Sequence, residues 1–489
     1  MAEATARAKH VVLFPFPGQG HLSAFMSLAG LLHRALPDAA ISLVSTPRNV
    51  TALRDAGSMP ASSSLTLHEL PFTPADHGLP PHCESADALQ RSSIMDLSEA
   101  FEALQPAFDD YLAGVVAAAG GGVCVVVSDA FAAWTVAVAR RLGCGHALFI
   151  SCGAFGSAVL HSLWSHMPVC PDPATSRVHL PEHPEVAIHR SQVSRPTILS
   201  TGGKDDRGAA FWDRQISFGH KTDALLINTV EELEPTGLAM VRRALKAPVY
   251  PVGPLVRGRA TSWLSSSPGT DDAILSFLDA HPPSSVLYIS FGSVNSIRAE
   301  HMMELAATLE STGRPFVWAV RPPIGHDLKG DFRAEQWLPD GFEERERTSN
   351  RGLLVRGWAP QVSILAHPST GAFLSHCGWN SVLESMAHGV PIVGWPIAGD
   401  QFYNAKMLDE EFGVCVEVAR GNTEDTVVDR VAVADVLETV MGNTVKAAEM
   451  RQRAGKIKEV MDAPWKEGGG SSRKALQGFL LQMKLRPVK

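Results

Sequence analysis

The sequence predicts an α/β protein made of two Rossmann-like doubly wound domains that follow one another and face a cleft. Three observations predict it. Short apolar runs alternate with amphipathic helical stretches, as in βα units around a parallel sheet covered on both faces. A chain of 489 residues exceeds one ordinary core. The alternation breaks once, in a stretch dominated by proline, glycine and serine, and then restarts.

The first half opens with the strand "HVVLFPF", the helix "LSAFMSLAGLLHRAL" and the strand "AISLVST". The long apolar stretch "YLAGVVAAAGGGVCVVVSDA" contains four glycines, so it reads as helix, turn and strand rather than a membrane span. "WTVAVARRLG" and "HALFIS" supply a further helix and strand. The break is "APVYPVGPLVRGRATSWLSSSPGTDDA", from Ala247 to Ala273. Beyond it come "SSVLYISFGS", "AEHMMELAATLESTG", "PFVWAV", "GLLVRGW", "GAFLSH", "SVLESMAHG", "VPIVGWP" and "GVCVEV", and the helix "SSRKALQGFLLQMKL" closes the chain. The expected divisions are a first domain over 1–247, a linker over 248–272, a second domain over 273–465, and a last segment over 466–489 packing back on the first domain.

Composition narrows the function. The chain is 45% hydrophobic and 19% charged, which is globular. A net charge of -8 gives no reason to expect nucleic acid or an anionic membrane as partner. The seven cysteines are scattered and form no C-x-x-C pair, which suggests a reducing compartment and no structural zinc. The start, "MAEATARAKHVVLFPFPGQGH", has a short apolar run broken by proline and glycine, unlike a signal peptide. A cytoplasmic monomer without a transmembrane anchor is expected, and the sequon at Asn49 is expected to stay silent.

Polar clusters mark the chemistry. "FPFPGQGHLSAF" follows the first strand and invites a dinucleotide reading, but after Gly18 and Gly20 the third glycine of G-x-G-x-x-G is Ser23. The second strand also ends without the acidic residue that would hold a ribose. The stretch "GAFLSHCGWNSVLESMAHGVPIVGWPIAGDQ" is richer. It reads as a buried strand, then His-Cys-Gly-Trp-Asn, then a helix with Gly389 just past its end. Gly378 lets backbone approach a ligand, and Asn380 or Ser381 can cap the helix. The helix start favours a phosphate, and His376 can add a donor. Glu384 can accept two ribose hydroxyls, while Asp400 and Gln401 form a carboxylate–amide pair suited to sugar hydroxyls. Trp358 follows another strand, where an indole can stack on a base, and "SFGS" ending at Ser293 offers a second phosphate loop. Each cluster falls just after a strand, where ligands of such sheets bind. Together they describe a nucleotide-sugar site.

Trp358 to Gln401 resembles, without a gap, the 44-residue signature box of the plant secondary-product glycosyltransferases, the UDP-dependent family 1 enzymes. The two-half organisation resembles their GT-B fold end to end. The resemblance implies that Trp358 stacks on uracil while the Ala359 backbone and Gln361 hold uracil and ribose. It implies that Glu384 takes the ribose hydroxyls, that His376, Asn380 and Ser381 bind the pyrophosphate with Ser293, and that Trp379, Asp400 and Gln401 hold the sugar. Glutamine at the last box position accompanies UDP-glucose in this family. His388, Gly394, Val382 and Ala24 depart from the usual residues without removing a ligand contact.

Glycosyl transfer needs a general base for the acceptor hydroxyl, and histidine suits it because its pKa lies near cellular pH. His21 sits at the junction of the first strand's loop and helix. Asp129, ending "VCVVVSD", can fix its tautomer and stabilise the cation. In the family, the matching positions form such a dyad, and the position of Ser151 contacts the donor sugar. The expected reaction is a single inverting displacement giving a β-glucoside, with UDP-glucose as co-substrate, no tightly bound cofactor and no metal. The plainer readings are a helix cap for His21 and a strand-end turn for Asp129. Phe16, Phe131, Trp134 and Phe155 can line an acceptor pocket or belong to the core, and Phe72–Ser85 and Arg195–Phe211 read as loops over it. Two rivals are a transferase using another UDP-sugar and a UDP-sugar sensor without turnover.

Overall fold

The computed structural model describes residues 8–55, 65–89, 93–203, 205–256, 270–328, 330–421, 426 and 428–486. Fifteen strands are described. Those of the first half are β1 (Lys9–Phe14), β2 (Ala40–Ser45), β3 (Leu65–Glu69), β4 (Val123–Asp129), β5 (Gly145–Ile150), β6 (Arg177–Val178), β7 (Ile188–His189), β8 (Ala224–Ile227) and β9 (Val249–Pro251). The second half has β10 (Val286–Ser290), β11 (Phe316–Val320), β12 (Gly352–Arg356), β13 (Thr370–Ser375), β14 (Ile392–Gly394) and β15 (Cys415–Glu417).

Seven strands form a parallel sheet in the order β3-β2-β1-β4-β5-β8-β9. Six form a second parallel sheet in the order β12-β11-β10-β13-β14-β15. In each, the strand order reverses beside the first strand, between β1 and β4 and between β10 and β13. Both sheets are doubly wound, as the alternating pattern predicts. Helices cover both faces, so whole strands are apolar. On β10, Leu287 and Ile289 enter one core with Trp318 and Leu374, while Val286 and Tyr288 enter the other with Val317 and Phe373.

The chain divides into two compact units. One comprises Met1–Ile188, Arg195–Val256 and Ala463–Lys489; the other comprises His189–Ser194 and Arg257–Asp462. The stretch read as a linker from 248 begins with β9, which pairs with β8. Its proline and glycine content conceals an edge strand, where a missing N–H is tolerated. Residues 257–269 of that stretch lie outside the described residues, and its end, 270–272, is not linker but the first turn of the helix Thr270–Asp279. The closing helix, Ser471–Gln482, lies in the same unit as β9, with Phe479 against Tyr250 and the Ser472 hydroxyl donating to the Gly253 carbonyl.

The stretch Arg195–Phe211 is not only loop. It contains a short helix, Arg195–Leu199, and the start of a longer one, Arg207–Gly219, whose first turn is capped by Asp206. The sequence signal there was hidden by the glycines and charges just before the cap.

Candidate active site

The first unit places its polar groups at the β1/β4 switch point. After β1 the chain turns through Gly18 into the helix Gln19–Ala35, and His21 lies in its first turn. Gly18 caps that helix without a side-chain bond, so His21 is not a cap. His21 Nδ1 lies 2.7 Å from Asp129 Oδ2, and the aspartate side chain is only 3% exposed. Asp129 ends β4, and its other oxygen accepts the Phe131 N–H at 3.2 Å. The strand-end turn and the histidine partner are thus the same carboxylate, one oxygen for each. Ser151, just after β5, brings its hydroxyl to 3.4 Å from the same Nδ1. With Nδ1 turned to the carboxylate, Nε2 is the nitrogen suited to take a proton.

Aromatic rings surround the imidazole. Phe16 and Phe131 meet it edge to face at 5.5 and 5.6 Å and stack on each other at 4.3 Å. Trp212 follows at 4.8 Å from Phe131, and Trp164 lies 6.2 Å from Trp212. Both tryptophans are half-buried. Trp134 and Phe155, by contrast, are core residues, Trp134 packing on Phe14 and Phe108. Trp164 and Trp212 escaped the sequence reading because neither lies at a strand end.

The second unit gathers its groups at the loops after β10, β12, β13 and β14. His376 is buried between two glycines. A Cβ on Gly292 would lie 2.7 Å from its Nε2, and one on Gly378 would lie 2.4 Å from the same atom. Gly292 has φ 82°, and Ser293 follows it, half-buried. Gly378 begins the helix Trp379–His388 with no side-chain cap, so Asn380 and Ser381 lie within the first turn rather than capping it. A helix start is a place where backbone N–H groups can meet an anion. Gly389 ends the helix with φ 71°, as its position predicts.

Gln361 knits the next part together. Its amide nitrogen donates to Ser381 Oγ at 3.1 Å and to Glu384 Oε2 at 2.7 Å, and its oxygen accepts from the Tyr288 hydroxyl at 3.2 Å. Burial pushes the Tyr288 phenol up, with the Glu384 charge adding to it, so the hydroxyl keeps its proton and donates. Trp358 stands half-buried after Gly357, whose φ is 84°, and buried Ala359 accepts the Gln361 N–H at 2.8 Å. Gln401 uses its oxygen for the N–H groups of Ile397 and Ala398, both at 3.0 Å. Those two donors fix the amide, leaving its nitrogen as the donating end. Asp400 Oδ2 accepts from Asn404 at 2.9 Å. Trp379 is buried at the helix start. Among the departures, Gly394 sits where a Cβ would come 2.8 Å from Cys415 Sγ, so a larger residue would displace the thiol.

Residues 268–451 match the family described as UDP-glucoronosyl and UDP-glucosyl transferase. The chain is 39% identical to UDP-glycosyltransferase 92A1 of Arabidopsis thaliana over 495 residues, covering 100% of both. The chain belongs to the plant UDP-glycosyltransferases of family 1. Among solved structures it is similar to Glycyrrhiza uralensis UGT73P12 complexed with glycyrrhetinic acid 3-O-monoglucuronide, with TM-score 0.82 and 25% identity, covering 98% of this chain and 96% of that one. It is also similar to Phytolacca americana UGT2 complexed with UDP-2fluoro-glucose and pterostilbene, with TM-score 0.78 and 27% identity, covering 98% and 100%. The glycosyltransferase therefore has the GT-B fold and takes a UDP-sugar and a small molecule. Among its described residues no helix is long and apolar enough to cross a membrane, and no three His, Cys, Asp or Glu side chains gather as a metal-ligating group.

Proposed function

We propose that this glycosyltransferase moves glucose from UDP-glucose to a hydroxyl of a small lipophilic acceptor, with inversion, giving a β-glucoside. The observation that carries the mechanism is the 2.7 Å contact of His21 Nδ1 with Asp129 Oδ2. His21 Nε2 accepts the acceptor's proton while Asp129 holds the tautomer and steadies the imidazolium. The alkoxide displaces UDP from the α-linked anomeric carbon in one step. The helix start at Gly378, with His376, Asn380, Ser381 and Ser293, receives the departing diphosphate, so the step calls for no metal.

The remaining donor roles follow the same loops. Trp358 stacks on uracil beside Ala359 and Gln361, Glu384 takes the ribose, and Trp379, Asp400 and Gln401 hold glucose. The fixed amide of Gln401 supports donation to a sugar hydroxyl beside an accepting carboxylate. The edge-on rings of Phe16 and Phe131 around His21 support a lipophilic, flat acceptor.

The test is UDP release from UDP-glucose with a panel of phenolic and terpenoid alcohols, comparing wild type with His21→Ala. Acceptor-dependent release should fall by about 100-fold or more in the variant. Release that persists undiminished would overturn the assignment of the base.

A further inference from the structure

Asn404 lies one turn into the helix Gln401–Glu410 and is fully buried. Its amide nitrogen donates to the Cys377 carbonyl at 3.0 Å and to Asp400 Oδ2 at 2.9 Å. Both partners only accept, so the amide cannot be turned the other way without losing both bonds. Its side-chain oxygen has no hydrogen-bond partner, and its backbone N–H donates to the Asp400 carbonyl at 2.9 Å.

The two partners belong to different loops. Cys377 stands between His376 and Gly378 in the loop after β13, with φ 61°, a left-handed conformation that non-glycine residues adopt uncommonly. Its N–H donates to Ser375 Oγ at 3.1 Å, and the Asn404 bond anchors its carbonyl. Asp400 stands in the loop after β14, beside Gln401. One buried NH2 group therefore joins the loop offered to the diphosphate to the carboxylate offered to the sugar. It lies three residues beyond the signature box, at i+4 from Asp400.

We propose that Asn404 is a positioning residue that couples the diphosphate loop to the sugar-binding carboxylate, and so sets how much the sugar adds to UDP binding. The inference rests on the donor-site assignment made above. By holding Oδ2, Asn404 fixes the rotation of the Asp400 carboxylate. By holding the Cys377 carbonyl, it keeps the peptide between His376 and Gly378 in the conformation the helix start requires.

The test is a double-mutant cycle on binding, which needs no turnover. Calorimetry gives the Kd of UDP and of UDP-glucose for wild type, Asn404→Leu, Asp400→Ala and the double variant, without acceptor. The readout is the ratio of the two Kd values, the gain contributed by the sugar. Asn404→Leu should lower that ratio about tenfold beside Asp400 and leave it unchanged in the Asp400→Ala background. Asn404→Asp, which keeps the volume and removes the donor, should act in the same direction if the leucine variant does not fold. Equal, additive losses in both backgrounds would overturn the coupling, as would an unchanged ratio in both. A wild type that binds neither UDP nor UDP-glucose would instead overturn the donor assignment on which the coupling stands.

Discussion

Gly378 makes room for chemistry by lacking a methyl group. Its φ of -63° and ψ of 140° suit any residue, so backbone strain is not what demands glycine there. The demand is spatial, since a Cβ would come 2.4 Å from His376 Nε2. Gly378→Ala should therefore displace the imidazole, raise the KM for UDP-glucose about tenfold, and shift the melting temperature by no more than a few degrees. A variant with unchanged KM would show that His376 does not serve the donor. At this scale the sequence carried identities better than relations. That His21, Asp129, His376, Glu384 and Gln401 stand at or just beyond strand ends was legible, because the apolar runs before them mark where each strand stops. That Gln361 ties Ser381 to Glu384, or that Asn404 joins Cys377 to Asp400, was not, because those bonds link residues whose nearness only the fold creates.

Elements were legible where burial on two faces makes whole strands apolar, as in β1, β4, β10 and β13. They were hidden where local composition misleads, as in β9 with its prolines and in the helix Arg207–Gly219 behind a glycine-rich start. The junctions between elements were hidden too, and one of them decides the stability of the helix after Ser151. That helix, Ala154–Ser165, starts without a cap from its own N-cap residue. Buried Glu234, far along the chain, accepts the N–H groups of Ala154 at 2.8 Å and Phe155 at 2.9 Å. Its charge sits at the positive end of the helix, and Gly237 one turn on lets the next helix touch the Phe155 backbone, where a Cβ would lie 2.3 Å from the nitrogen. Glu234→Ala leaves two buried donors without an acceptor and should cost about 2–4 kcal/mol. Glu234→Gln keeps an acceptor and should cost roughly half as much. Hydrogen-exchange protection of the 154–165 amides would measure both, and an alanine variant with wild-type protection would refute the capping role.

Across the molecule, the two units should answer acid in opposite senses. The first holds histidines kept neutral by burial: His146 at about 3, with nearby Arg140 adding to the effect, His161 at about 4, and His10, His68 and His183 also lowered. His146 is bonded on every side, to Ser128 and Thr135 through Nε2 and to Thr222 through Nδ1. Unfolded, a histidine takes a proton below about pH 6.5, which these folded rings refuse, so stability falls from there toward each folded pKa. For His146 alone the loss at pH 5 is about 2 kcal/mol. The second unit holds Glu346, Asp409 and Glu417, all raised chiefly by burial, with His388 lowered in opposition. A raised carboxylate binds its proton more readily folded than unfolded, so acidification through its folded pKa adds stability. Carboxylates held below their ordinary values, such as Asp206 and Glu304, titrate beneath this window. Between pH 7 and 5, hydrogen exchange corrected for its intrinsic rate should therefore show β4 and β5 losing protection while β13, β14 and β15 keep or gain it. Parallel loss in both sheets would mean that the two units unfold as one, and that the buried histidines of the first draw on the stability of the whole chain.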